Sequence, residues 1–219
     1  VTSIERRAEW FAALGDPSRL AIVDELVASD RTPGELMQIT GLSSPLLTHH
    51  LDILEAAGVV VRTVSHHDRR KRFLRLVPAG IPLATPAPFP VGRVLFVCTA
   101  NSARSQLAAA LWTHLTGAPA DSAGTEPAER VHPMAVRAAG TFGADIADNL
   151  PRVVRAGELR RGTVITVCDQ AHDELAVSSR RWHWSIPDPA VDGKSRAFDS
   201  VVRELRTRIA PFAAKPAKS

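Results

Sequence analysis

Residues Val94–Gln106 read VLFVCTANSARSQ: an apolar run, a cysteine, and a short polar loop whose arginine stands six positions after the cysteine. The segment Arg93–Val97 is apolar and rich in β-branched residues, the pattern of a buried parallel strand. From Ser105 onward Leu107, Leu111 and Leu115 recur at helical spacing, so a helix begins where the loop ends. A loop joining the carboxyl end of a strand to the amino end of a helix offers backbone N–H groups and the positive end of the helix dipole, which makes an anion site. Arg104 adds a two-pronged donor suited to a tetrahedral oxyanion. Cys98, at the base of the loop, feels the N–H groups, the dipole and the guanidinium, and each favours a thiolate. A thiolate beneath a bound oxyanion is a nucleophile aimed at phosphorus or arsenic. Thr99, Ala100, Asn101, Ser102, Ala103 and Ser105 are therefore expected to bind the anion or stabilise the loop, with Ser105 Oγ donating to sulfur and Asn101 bracing through its side chain.

Outward from this stretch the chain is ordinary in composition. Its 219 residues allow one large domain or two small ones. The two cysteines do not make a disulfide framework, so a reducing cytoplasm is the expected location. No apolar run approaches membrane-spanning length, and no membrane partner is expected. The net charge of +4 is mild, so nucleic-acid binding has to rest on local charge. Residues 77–92, VPAGIPLATPAPFPVG, hold five prolines and no charged residue, the composition of an extended spacer. The expected organisation is a domain over 1–77, a proline-rich linker over 78–91 and a second domain over 92–212.

In the first domain Asp16-Pro17 marks a helix start, after a helix over about 3–13 with Trp10, Phe11 and Leu14 on one side. Leu20, Val23, Leu26 and Val27 follow at helical spacing. Thr32-Pro33 starts a short helix ending near Gly41, and Ser43 is expected to cap the next, with Leu47, Leu51 and Leu54 inward and Gly58 as the stop. Two strand-like segments, Val59–Val64 and Phe73–Val77, flank SHHDRRKR. Helices followed by a charged hairpin describe a winged helix-turn-helix. Arg62, Arg69, Arg70, Lys71, Arg72 and Arg75 crowd into fourteen positions with one acid, Asp68, as phosphate contacts require. Ser44, Thr48 and His49 face outward on the recognition helix, so these three and Arg69, Arg70 and Arg72 are the candidate contacts to double-stranded DNA. His49, His50, His66, His67 and Asp68 could suggest zinc, but adjacent histidines on one helix diverge and no metal site is expected.

LGDPSRLAIVDEL followed by GLSSPLLTHHLDILEAAGVV resembles the ArsR family of winged-helix repressors over about the first 77 residues. That resemblance implies DNA binding and dimers. The helix TPGELMQIT lacks the cysteine pair of arsenic-sensing members, and the linker stands where a last dimerisation helix is usual. Dimerisation is therefore expected through the first helix, with the second domain as a further candidate surface.

The cysteine-arginine loop, with SAGT (Ser122–Thr125), VHPMAV, VITVCD and DPA (Asp188–Ala190), closely resembles the low-molecular-weight protein tyrosine phosphatase family, which includes a branch of arsenate reductases. The resemblance implies an α/β domain with a four-stranded parallel sheet, here at about 93–97, 120–123, 163–168 and 182–186, and it makes Asp188 the general acid. Absence of tyrosine, Ala190 after Pro189, and RSQ rather than Arg-Ser-Pro favour a small oxyanion, arsenate or phosphate, over phosphotyrosine. Cys168 is the candidate resolving thiol, but no cysteine follows it, so an external thiol of the mycothiol or glutathione type is the expected reductant, with no bound cofactor. Three functions stay open: a thiol-dependent arsenate reductase fused to a regulator of arsenic resistance, a regulator whose second domain only senses an oxyanion, and a phosphatase.

Overall fold

The computed structural model describes residues 3–77, 93–175 and 181–213, which form two compact units, one on each side of residues 78–92. The linker expected over 78–91 lies outside the described residues.

The first unit runs α1 (Ser3–Leu14), α2 (Pro17–Ala28), α3 (Pro33–Thr40), α4 (Ser44–Ala56), β1 (Val60–Val64) and β2 (Arg72–Leu76). Asp16 starts α2 by accepting from the amides of Ser18 at 2.9 Å and Arg19 at 3.1 Å. These bonds, that to Arg19 foremost, hold its carboxyl below the ordinary value. Thr32 and Glu35 close a reciprocal capping box on α3, and Gly41 ends that helix at φ 71°. Ser43 departs from expectation. It occupies the position before α4, but its side chain makes no cap bond; only its carbonyl accepts, from Leu47 N at 2.9 Å. Ile22, Val23, Leu26, Leu36, Leu47, Leu51 and Leu54 form the core with Val59, Val60 and Leu74 from the hairpin. Phe11 and Leu20, read on the apolar stripes of α1 and α2, stay 53 % and 43 % exposed. Arg31 exchanges backbone bonds with Leu74 and is buried against Glu25, which fixes the hairpin to α2.

The second unit runs β3 (Val94–Cys98), α5 (Arg104–Thr116), β4 (Ala120–Gly124), α6 (Pro133–Gly140), β5 (Thr163–Thr166), α7 (Asp169–Glu174), β6 (Arg181–His183), α8 (Pro189–Asp192) and α9 (Ser195–Ile209). The four strands are parallel in the order β4-β3-β5-β6. Chain order reverses between β3 and β5, so a crevice opens at their carboxyl ends, where Cys98 and Cys168 lie. β3 is buried at all five positions, as its unbroken apolar run demands. Phe96 packs between Trp112 of α5, at 5.9 Å, and Trp184, at 5.7 Å. α5, α6 and α9 pack on one another, while α7 lies against β3 and β5.

Two strands are shorter than the sequence suggests. β5 ends at Thr166, and Cys168 already serves as the cap of α7. β6 ends at His183, and buried Trp184 and Ile186 lead the chain toward Asp188. Among the described residues no helix is long and apolar enough to cross a membrane.

Candidate functional site

The loop after β3 closes around the Cys98 sulfur. Asn101 N donates to Sγ at 3.2 Å, and Ser105 Oγ stands 3.1 Å away. Asn101 Nδ2 donates to Ser105 Oγ at 2.8 Å, which leaves the serine hydroxyl hydrogen free for the sulfur. Asn101 holds this position in the left-handed region at φ 48°, and its Oδ1 accepts from Arg152 N at 3.0 Å.

The loop's carbonyls turn away from the sulfur. Those of Cys98, Thr99, Ala100 and Ser102 accept from the amides of Thr125, Glu126, Ala128 and His132 at 2.9–3.1 Å. The amides of Ser102, Ala103 and Arg104 find no acceptor among the described residues, as suits donors for an anion. Gly124 lets the loop lie this close: a Cβ there would stand 2.4 Å from Thr99 O and 3.0 Å from Asn101 Cβ. The quoted SAGT contained this glycine, but its reason is a contact 25 residues distant in sequence.

Arg104 is almost wholly buried. Its Nη2 donates to Asp188 Oδ2 at 2.7 Å and its Nη1 to Ile186 O at 3.1 Å. Asp188 Oδ1 also accepts from Ala190 N at 3.0 Å, so Pro189 and Ala190 hold the acid at the start of α8. The structure therefore brings Cys98, Arg104, Ser105, Asn101 and Asp188 together.

Cys168 adjoins this group through Thr99, whose Oγ1 lies 3.4 Å from its sulfur. Burial pushes the Cys168 thiol up, against a smaller downward pull from Arg104. Behind it lies a buried polar chain that the sequence did not reveal. His183 Nε2 meets Asp169 Oδ1 at 3.0 Å, Thr166 Oγ1 meets His183 Nδ1 at 2.9 Å, and His172 stacks on His183 with ring centres 4.1 Å apart. These residues are scattered over β5, α7 and β6, and no spacing links them.

In the first unit Ser44, Thr48 and His49 are exposed on α4, as are Arg69, Arg70 and Arg72 on the hairpin. The hairpin is less basic than its composition. Arg70 is held on Asp68 by bonds of 3.0 and 3.1 Å, which brings that carboxyl down to about 2. Arg62 pairs with Asp52 at 3.3 Å and Glu55 at 2.9 Å, both from α4. Arg72 donates to the carbonyls of Arg69 and Lys71. His50 is buried beside Asp16, whereas His66 and His67 are exposed. Among the described residues no group of three His, Cys, Asp or Glu could hold a metal ion.

Residues 93–219 match the family model of the low molecular weight phosphotyrosine protein phosphatases. The chain belongs to this phosphatase family. Residues 16–61 match the model of the bacterial regulatory proteins of the arsR family. An arsenate reductase of Shouchella clausii is 33 % identical over 131 residues, covering 55 % of this chain and 94 % of the relative. An arsenate reductase of Brevibacillus brevis is 36 % identical over 127 residues, covering 55 % and 92 %. The solved low molecular weight protein tyrosine phosphatase of T. tengcongensis shares the fold, with a TM-score of 0.50 and 23 % identity over 55 % of this chain and 97 % of that one.

Proposed function

We propose that this chain is a phosphatase-like arsenate reductase fused to an arsR-type DNA-binding regulator, acting in arsenic resistance. The observation that carries the enzymatic half is one loop that holds Asn101 N and Ser105 Oγ on the Cys98 sulfur and Arg104 on Asp188, in a chain whose relatives over this domain include arsenate reductases. The loop amides and Arg104 bind arsenate or phosphate as a tetrahedral anion. Cys98 is the nucleophile. Its thiolate attacks arsenic and an As–S bond forms. One As–O bond breaks, and the oxygen leaves as water with a proton from Asp188. A second thiolate then attacks the Cys98 sulfur and an S–S bond forms. The As–S electron pair stays on arsenic, which leaves as arsenite, and the two thiols supply the two electrons.

A buried, raised Cys168 thiol is a slow attacker, which supports a small external thiol of the mycothiol or glutathione type as the second partner. Free thiols of this kind suit a reducing cytoplasm. The first unit binds double-stranded DNA through the exposed face of α4 and the hairpin, with Ser44, Thr48 and His49 at base edges and Arg69, Arg70 and Arg72 at phosphates. Exposed Ile4 and Phe11, seven residues apart on α1, support a dimer formed through that helix.

The test is arsenite release by the purified chain supplied with arsenate and, in turn, glutathione, mycothiol or a thioredoxin system. Arsenite with a small thiol is expected. Hydrolysis of an aryl phosphate without arsenite release would move the assignment to phosphatase, and arsenate-responsive DNA binding without either activity to an oxyanion sensor.

A further inference from the structure

The carbonyls of the Cys98 loop can be traced one by one, because each needs a partner when buried. Those of Cys98, Thr99, Ala100, Ser102 and Ala103 accept from the main-chain amides of Thr125, Glu126, Ala128, His132 and Leu107. Main-chain amides are supplied by almost any sequence. The carbonyl of Asn101 differs. It accepts from a side chain, Gln106 Nε2, at 3.2 Å.

Gln106 is itself buried and held at both ends. Its Oε1 accepts from Asn149 Nδ2 at 2.9 Å, which orients the amide so that its nitrogen faces Asn101. In a trans peptide the C=O and the following N–H point in opposite directions. A carbonyl of Asn101 pulled outward by Gln106 therefore turns the Ser102 N–H toward the anion. The bond is made at the residue with the loop's left-handed backbone, φ 48°, a sparsely populated conformation that its surroundings must hold.

We propose that Gln106, oriented by Asn149, is a positioning residue that aims the Ser102 amide at the bound oxyanion. It touches no substrate and acts through one peptide plane. The inference rests on the proposed oxyanion-binding role of the Cys98 loop and assigns part of that role to a side chain on the first turn of α5 and another in the segment before β5.

Inorganic phosphate is the probe, with binding to the full chain followed by calorimetry and unfolding followed thermally. Gln106→Met keeps the length and removes the donor, and it should weaken phosphate binding about tenfold at temperatures where the chain is folded, the effect of losing one aligned hydrogen bond to a charged ligand. KM for arsenate should rise with it. Asn149→Ala leaves the donor present but unoriented and should weaken phosphate binding about threefold. Should Gln106→Met fail to fold, the Asn149→Ala result decides. Phosphate affinity equal to the parent's, whether or not the melting temperature falls, would overturn the positioning role and leave the site itself standing. No phosphate binding by the parent chain would remove the proposed site, and this inference with it.

Discussion

Gly124→Ala tests the geometry of the site without touching any group assigned to chemistry. The added Cβ would lie 2.4 Å from Thr99 O, whereas an ordinary C···O contact is about 3.3 Å. Something must therefore retreat by about 0.9 Å. β4 cannot, because Gly124 pairs with Cys98 in the sheet, donates to Arg152 O and accepts from Val154 N, each of those bonds 2.8 Å long. The loop has to move. Overpacking of this kind destabilises by about 1–3 kcal/mol, and a displacement of about 1 Å at a reacting centre costs on the order of a hundredfold in rate. The expected outcome is a folded second unit with a lower melting temperature, weaker phosphate binding, and kcat/KM for arsenate down about a hundredfold. Thermal unfolding, phosphate calorimetry and continuous arsenite detection with a small thiol measure the three in turn. Parental kcat/KM in the variant would refute the claim that the glycine exists to admit the loop.

Cys98→Ser should abolish turnover yet keep phosphate binding, since the amides and Arg104 remain; Arg104→Lys should weaken binding strongly, because a point charge cannot replace the fork that also holds Asp188 and Ile186 O. Changing Arg69, Arg70 and Arg72 to Gln should lower the slope of log K against log salt by about 2 to 3 and weaken operator and random DNA alike; an unchanged slope would show that the hairpin is not the phosphate anchor. In a Cys98→Ser background, alkylation of Cys168 by iodoacetamide should reach half its limiting rate above pH 9.0, the ordinary value from which burial raises it. The sign for stability follows: a thiol raised in the folded state favours folding fully below the unfolded value and loses that contribution as pH rises through the folded one, so Cys168→Ala should flatten the alkaline limb of the stability curve. With a small thiol supplied, Cys168→Ala should retain most arsenate reduction; near-total loss in a folded variant would make Cys168 the resolving thiol.

What the sequence disclosed was local. Asp16-Pro17, Thr32-Pro33 and Gly41 mark their helix ends within a few residues, and each acts through bonds to its own neighbours. Val94–Cys98 running into Arg104-Ser105 announced strand, loop and helix for the same reason. The losses came where partners are distant or where one period serves two faces. Phe11 and Leu20 fit a helical stripe yet are exposed, since spacing alone does not say which side meets the core. Arg62 looked free for DNA because Asp52 and Glu55 lie in another element. The contact that requires Gly124, the bond from Gln106 to Asn101, and the chain from Asp169 through His183 to Thr166 all depend on tertiary closure.

The way the Cys98 loop is fastened also bears on its evolution. With most of its fastenings supplied by main-chain amides, the shape of the anion cradle is recorded in the path of the backbone and hardly at all in the side chains at Ala100, Ser102 and Ala103. A lineage can drift at those three positions while the cradle keeps its form. The constraint falls instead on Gly124, which admits the loop, and on Gln106, which holds the Asn101 carbonyl. In a saturation library selected for arsenate tolerance, those two positions should accept fewer residues than Ala100, Ser102 and Ala103, and the lining of the cradle should be the permissive region.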